Sequence, residues 1–110
     1  MKVKNKRLFE IEHGIQLASD IPDFKIGYAL QRNLVKVSAI TEALRTTAFL
    51  MEKTKNPDAK QASVPQEALD EESEIEFFTI PMSHVEKLPA EVQNKLTARI
   101  LFGLCPEIIQ

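Results

Sequence analysis

Few residues in this chain are of a type that could carry chemistry, and none of them forms a catalytic or metal-binding pattern. The two histidines, His13 and His84, are far apart in sequence, and no Cys or His cluster has the spacing of a zinc site. His84 and Glu86 lie two residues apart, a spacing that does not bring side chains together on a helix, so both are expected at a cap or on the surface. Cys105 is the single cysteine and is interpreted as a small hydrophobic residue at the end of the last helix.

The remaining kinds of catalytic or ligand-binding pattern are also missing from the sequence. The three glycines are isolated, so no phosphate-binding loop or dinucleotide fingerprint is formed. Serine nucleophile motifs are absent, and paired carboxylates occur only in one acidic block, where the local sequence indicates no pocket. The sequence therefore predicts no catalytic, cofactor-binding or metal-binding residues and a protein that is not an enzyme.

Composition favours one small helical domain over residues 1–110. Apolar residues make up 44% and charged residues 27%, as in an ordinary globular protein. No apolar run approaches the roughly 18 residues of a membrane span, and the N-terminal residues lack the pattern of a secretory signal, so a cytoplasmic location without membrane contact is expected. A net charge of −2 argues against a dedicated nucleic-acid binder.

Charge is distributed unevenly along the chain. The N-terminus is basic, whereas residues 67–76 form a compact acidic block. Solvated surface is the favoured interpretation of both segments. An alternative is that they pair as strands, with Lys and Glu side chains facing each other across the ladder.

The strongest signal is a long helix over residues 22–55. Ser19, Asp20 and Asp23 supply capping residues around a first-turn proline, and Asn56-Pro57 ends the periodic pattern. Some 33 residues of helix would extend for roughly 50 Å. Because the rest of a small domain cannot cover such a helix along its whole length, a homo-oligomer is expected.

Two apolar rows run along this helix. The first, which we call the seam, has the alternating spacing of a helix packed lengthwise on another helix; its members are Ile26, Leu30, Asn33, Val37, Ile40, Leu44, Thr47 and Met51. The polar Asn33 could select the register of an oligomer or could hydrogen-bond a neighbouring loop, and both remain open.

The second row, which we call the stripe, consists of Tyr28, Val35 and Phe49. Solvated residues, Arg32 among them, flank it. We expect the C-terminal helix to cover the stripe; if the stripe is exposed, it becomes the candidate surface for a protein partner.

Shorter elements complete a mainly α fold with a minor β component. The sequence predicts a short strand at residues 2–5, a helix over 6–19 for which a strand remains an alternative, a mobile link at about 57–63, a short acidic helix over 65–72, a strand over 75–80 and a last helix over 90–104. The long helix should pack with the N-terminal helix and with the short C-terminal helix. Either the N-terminal residues or another subunit should pair with the 75–80 strand.

The run from Ile21 to Leu34, continuing through Glu42 into a charged helix end, resembles a group of small tailed-bacteriophage proteins. They share an apolar-Pro start, a basic residue, a small residue followed by Tyr, and an Asn opening the next turn. In that group, an acidic connector, an Ile-rich strand and a short final helix follow the long helix. The resemblance covers about half the chain, with Gly27 where alanine is usual. The resemblance implies a phage origin and this order of elements, and it assigns no catalytic residues.

Sequence and resemblance together predict a non-enzymatic, self-associating helical protein that mediates protein-protein contacts, as a phage accessory or morphogenesis factor. The alternative is a small regulator that binds a host protein or nucleic acid through its basic N-terminus.

Overall fold

A computed structural model describes all residues 1–110 as a mainly helical fold with one two-stranded sheet. In chain order the elements are β1 (Lys2–Lys4), α1 (Asn5–Leu17), α2 (Phe24–Lys55), α3 (Gln66–Asp70), β2 (Glu72–Glu74), α4 (Met82–Glu86), α5 (Ala90–Gln93) and α6 (Ala98–Leu104). The predicted fold class is confirmed, including the helical form of residues 6–19 and the packing of the long helix with its helical neighbours. A single buried cluster of 19 residues, from Val3 to Ile109, forms the core.

Helix α2 begins and ends at local signals. Asp23 is the N-cap, and its carboxylate accepts a hydrogen bond from the Ile26 backbone N–H at 3.0 Å. The helix therefore starts at Phe24, two residues later than predicted, and Pro22 precedes the cap. It ends at Lys55 because Asn56, which precedes Pro57, adopts an extended conformation.

The length of α2 makes the molecule elongated. Its principal extents are 52 × 27 × 20 Å and its radius of gyration is 16.0 Å. A compact domain of this length would have a radius of gyration of about 13 Å. No helix is both long and apolar enough to cross a membrane.

The sheet pairs the basic N-terminus with the acidic block. Strands β1 and β2 are antiparallel, so Lys2 faces Glu74 and Lys4 faces Glu72. The N-terminal ammonium of Met1 also binds the Glu74 carboxylate at 2.8 Å. The alternative in which the basic and acidic segments pair as strands is therefore confirmed.

The prediction of a strand over residues 75–80 is wrong, since the strand that pairs with β1 is β2, just before this segment. Residues 75–79 belong to no strand, and their backbone is bonded in other ways: the Ile75 N–H donates to the Met1 carbonyl at 2.9 Å, and the Phe78 N–H donates to a side chain of α2. Ile80 alone forms a bridge, and its parallel partner is Ile109. The partners of this segment therefore come from the N-terminal residues, α2 and the C-terminus of the same chain.

The prediction of one continuous last helix over residues 90–104 is also wrong. Residues 94–97 break it into α5 and α6. The Thr97 hydroxyl accepts a hydrogen bond from the Ile100 backbone N–H at 3.4 Å and so caps α6. A threonine cap within an apolar periodic run starts a new helix there.

Residues 57–65 connect α2 to α3 without regular structure, and the short acidic helix follows at α3 as predicted. Ala59 is buried within this connection. The mobility of the link at 57–63 stays a prediction.

Candidate interaction surface

The stripe is largely exposed, so the prediction that the C-terminal helix covers it is wrong. Val35 is 72% exposed and Tyr28 is 49% exposed, while Phe49 is half-buried beneath the Lys53 ammonium, 5.4 Å from its ring centroid. Helix α6 packs against α1 instead of against this side of α2. Tyr28 and Val35 therefore lie on an open surface of the folded chain.

This open surface is broader than the sequence indicated, because Phe24 precedes it and Phe78 borders it. The rings of Phe24 and Tyr28 stack with centroids 6.0 Å apart, and Tyr28 meets Phe78 edge to face at 5.9 Å. Phe24 is 86% exposed. We define the aromatic face as Phe24, Tyr28, Arg32 and Val35.

Arg32 differs from the other arginines that lie over aromatic rings. Its guanidinium lies 4.8 Å from the Phe78 centroid and 5.8 Å from that of Tyr28. Arg7 and Arg45 also lie over rings, but each is paired with a buried or half-buried carboxylate of this chain. Arg32 forms no salt bridge within the chain, so an exposed, ring-stacked guanidinium is available to a carboxylate from outside.

Sequence reasoning placed Arg32 among the solvated flanks and gave Phe24 no role. The i, i+4 spacing of Phe24, Tyr28 and Arg32 was the available signal, because residues four apart are neighbours on a helix. Phe78 had no such signal, since only the fold brings it to α2.

The N-terminal half of the seam is filled by the chain itself. Ile26, Leu30 and Val37 belong to the core, and Asn33 is fully buried. The Asn33 amide donates to the Phe78 carbonyl at 2.8 Å and its oxygen accepts from the Phe78 N–H at 2.7 Å. Asn33 thus bonds a neighbouring loop, which was one of the two open interpretations, and these positions are closed to a second helix in this structure.

The C-terminal half of the seam is less covered. Ile40 and Leu44 are half-buried, Thr47 is exposed and Met51 is 58% exposed. Leu44 and Met51 line an open groove of about 280 Å³ between α2 and α3.

We call this groove the acid-rimmed groove. Val64 and Ala48 extend its apolar lining, and Glu67 and Glu71 contribute the carboxylates. Both glutamates are exposed, and neither forms a salt bridge within the chain. The C-terminal half of the predicted oligomer seam is therefore open to another molecule.

The most buried ionisable group, Glu12, ties α1 to α2. Its carboxylate accepts from the Thr41 hydroxyl at 2.6 Å and pairs with the Arg45 guanidinium. Burial alone would raise the pKa of Glu12, but the hydrogen bonds from Arg45 and Thr41 outweigh burial and hold that pKa below its ordinary value.

A second ion pair ties α1 to the C-terminal residues. Arg7 donates two hydrogen bonds to the Glu107 carboxylate, at 2.8 and 2.7 Å, and one to the Cys105 carbonyl at 2.6 Å. Burial acts to raise the pKa of Glu107, yet the bonds from Arg7 bring it below the ordinary value. Burial also raises the pKa of the Cys105 thiol, which agrees with its interpretation as a small hydrophobic residue.

His84 connects α4 to the start of α2. Its Nε2 lies 2.9 Å from the Asp23 carboxylate that caps α2, and this contact lowers the pKa of Asp23. The expectation that His84 is merely a cap or surface residue missed this partner.

The structure groups no three His, Cys, Asp or Glu side chains as a metal site.

Comparisons with known proteins add no further information on these surfaces. No protein family, curated protein or solved structure matches the chain.

Proposed function

We propose that the protein is a non-enzymatic helical protein that self-associates through open surfaces of α2 and mediates protein-protein contacts. One observation carries the proposal. Of the seven large apolar side chains that are exposed, five belong to α2: Phe24, Tyr28, Val35, Leu50 and Met51. Exposed apolar side chains that share one element mark contact sites more strongly than scattered ones.

The composition of the aromatic face supports a protein contact. Tyr and Arg are among the residue types that most often dominate binding energy at protein interfaces, and aromatic side chains in general are enriched there. Stacking on Phe24 and Phe78 restricts Tyr28 before any partner arrives, which lowers the entropy cost of binding.

The arrangement of the ionisable groups supports a non-catalytic role. Glu12, Asp23 and Glu107 are each bonded to a cationic or imidazole partner from a distant part of the chain. Each pair joins two elements of the fold. These contacts account for the lowered pKa values without invoking a reaction.

The resemblance to small tailed-bacteriophage proteins adds a setting to the proposal. We place the protein in the cytoplasm of a host cell, as an accessory or morphogenesis factor. Regulation through the basic N-terminus is the weaker alternative, because Lys2 and Lys4 already face glutamates across the sheet.

Light scattering over a concentration series tests the proposal. The wild-type mass should rise above the 12.5 kDa of one chain as concentration increases from about 1 µM to about 1 mM, the range of weak protein contacts. Phe24→Ser should weaken this association at least about tenfold, which corresponds to about 1.4 kcal/mol. The matched control is Phe102→Ser, an exposed phenylalanine outside α2. A wild-type mass that stays at one chain throughout contradicts the proposal.

A further inference from the structure

We propose that the self-association is head to tail: the aromatic face of one copy docks in the acid-rimmed groove of a second copy. This inference rests on the proposed function and adds to it which surfaces meet. It gives each of the two open surfaces of α2 an occupant that the chain itself supplies.

Charge complementarity is the first reason to choose a second copy as the occupant. The aromatic face carries Arg32 without a carboxylate partner, and from its first residue to Ile40 helix α2 contains no acidic residue. The groove carries Glu67 and Glu71, and neither forms a salt bridge within the chain. Opposite charges on the two surfaces favour their encounter and fix its orientation.

Shape and polarity are the second reason. Phe24 projects from the N-terminal end of α2 with 86% of its surface exposed, so its ring is the most exposed large apolar group of the chain. The groove of about 280 Å³ has apolar walls from Leu44, Met51 and Val64. An aromatic side chain seated between such walls is a typical anchor of a protein interface, and carboxylates at the rim are then placed beside the neighbouring Arg32.

The positions of the two surfaces on α2 decide the kind of assembly. Tyr28 and Leu44 project to nearly opposite sides of the helix, because an α-helix turns by about 100° per residue, and they are separated by about 24 Å along its axis. One pair of molecules therefore cannot engage both contacts by a two-fold axis. Each copy keeps one free surface, and the contact extends into an open chain or closes into a ring.

The experiment uses two full-length variants that each block one surface. Phe24→Ser/Arg32→Gln blocks the aromatic face, and Met51→Lys/Glu71→Lys blocks the groove by placing positive charge where Arg32 would dock. All four positions are exposed, so each variant should retain the wild-type melting temperature. The matched control is Phe102→Ser/Arg99→Gln, which removes an exposed phenylalanine and an exposed arginine from α6.

Sedimentation velocity of the separate and mixed variants gives the outcomes. Wild type and the α6 control should grow beyond a dimer with concentration, and each blocked variant should associate at least about tenfold more weakly. An equimolar mixture of the two blocked variants should form a one-to-one complex and stop there, because only one intact face meets one intact groove.

Other results overturn the inference and identify what fails. A wild type that stops at a dimer, or a groove variant that associates like wild type, removes the head-to-tail contact and leaves the proposed function standing. A wild-type protein that stays monomeric contradicts both the head-to-tail contact and the proposed function. Single-stranded oligonucleotides are a further probe: binding that the face variant abolishes, with a monomeric wild type, would assign the aromatic face to nucleic-acid phosphates and bases instead.

Discussion

Gly14 of α1 and Gly103 of α6 meet backbone to backbone. A Cβ on Gly14 would lie 2.8 Å from the Gly103 Cα, and a Cβ on Gly103 would lie 2.7 Å from the Gly14 Cα. Neither distance leaves room for a methyl group. This approach lets α6 lie on α1, and it explains why the C-terminal helix is not on the stripe of α2.

Replacing either glycine of this contact should destabilise the protein. We expect Gly14→Ala or Gly103→Ala to cost about 1–3 kcal/mol of unfolding free energy, because a backbone contact has no flexible neighbour that can move aside. Urea denaturation measures the change. Gly27→Ala is the matched control: apart from the neighbouring backbone of its own helix, no atom lies within 4 Å of its Cβ position, and alanine should raise stability by up to about 1 kcal/mol. Equal effects at Gly14 and Gly27 would contradict the close packing of α1 on α6.

Asn33 should matter for stability rather than for oligomer register. Asn33→Leu would leave the Phe78 N–H and carbonyl without their partners in a partly buried site, at a cost of up to about 1–3 kcal/mol for each unsatisfied group. Thermal unfolding measures this loss, and Gln31→Leu, at an exposed position two residues away, is its control. If Asn33→Leu instead kept its melting temperature and altered the number of subunits, the loop contact would not be the main role of Asn33.

Acid should destabilise the fold through three carboxyl groups. The pKa values of Glu12, Asp23 and Glu107 are all lowered in the folded state. A lowered pKa means that the group stabilises the fold above its unfolded pKa, about 4 for these residue types, and loses that contribution as the pH falls through the folded pKa. The free energy of unfolding should therefore decrease below about pH 4.5 and should not depend on these groups near neutrality.

Asp23→Asn isolates one of these groups, because asparagine also caps a helix but has no carboxylate. We expect this variant to show a shallower loss of stability between about pH 4 and pH 2 than wild type. Urea unfolding at several pH values is the measurement, and Asp58→Asn, in the exposed part of the link, is the control. An unchanged acid slope in Asp23→Asn would show that the His84 contact does not persist in solution.

The sequence predicted the elements whose signals are local. The bounds of α2 follow from the Asp23 cap and the Asn56-Pro57 stop, and the burial of Ile26, Leu30 and Val37 follows from helical periodicity. Periodicity also revealed the stripe as a second apolar row, but the sequence does not indicate which element, if any, covers that row.

The ion pairs that the sequence did not predict join distant residues. Arg7 meets Glu107 across 100 positions and Asp23 meets His84 across 61, and no local pattern pairs such residues. Thr97 divides the last helix because a capping hydroxyl competes with apolar periodicity, which the periodic pattern alone does not reveal.

Fluorescence quenching of Tyr28 tests the central claim, self-association through the aromatic face of α2, most directly. Tyr28 is the single tyrosine and the chain has no tryptophan, so intrinsic emission reports on the aromatic face alone. Quenching by acrylamide should be efficient near about 1 µM and should weaken toward about 1 mM as a second copy covers the ring. Phe102→Ser should follow the wild-type curve, and Phe24→Ser should shift it to higher concentration. A quenching constant that is the same at every wild-type concentration would mean that Tyr28 stays open to solvent, and it would contradict the account.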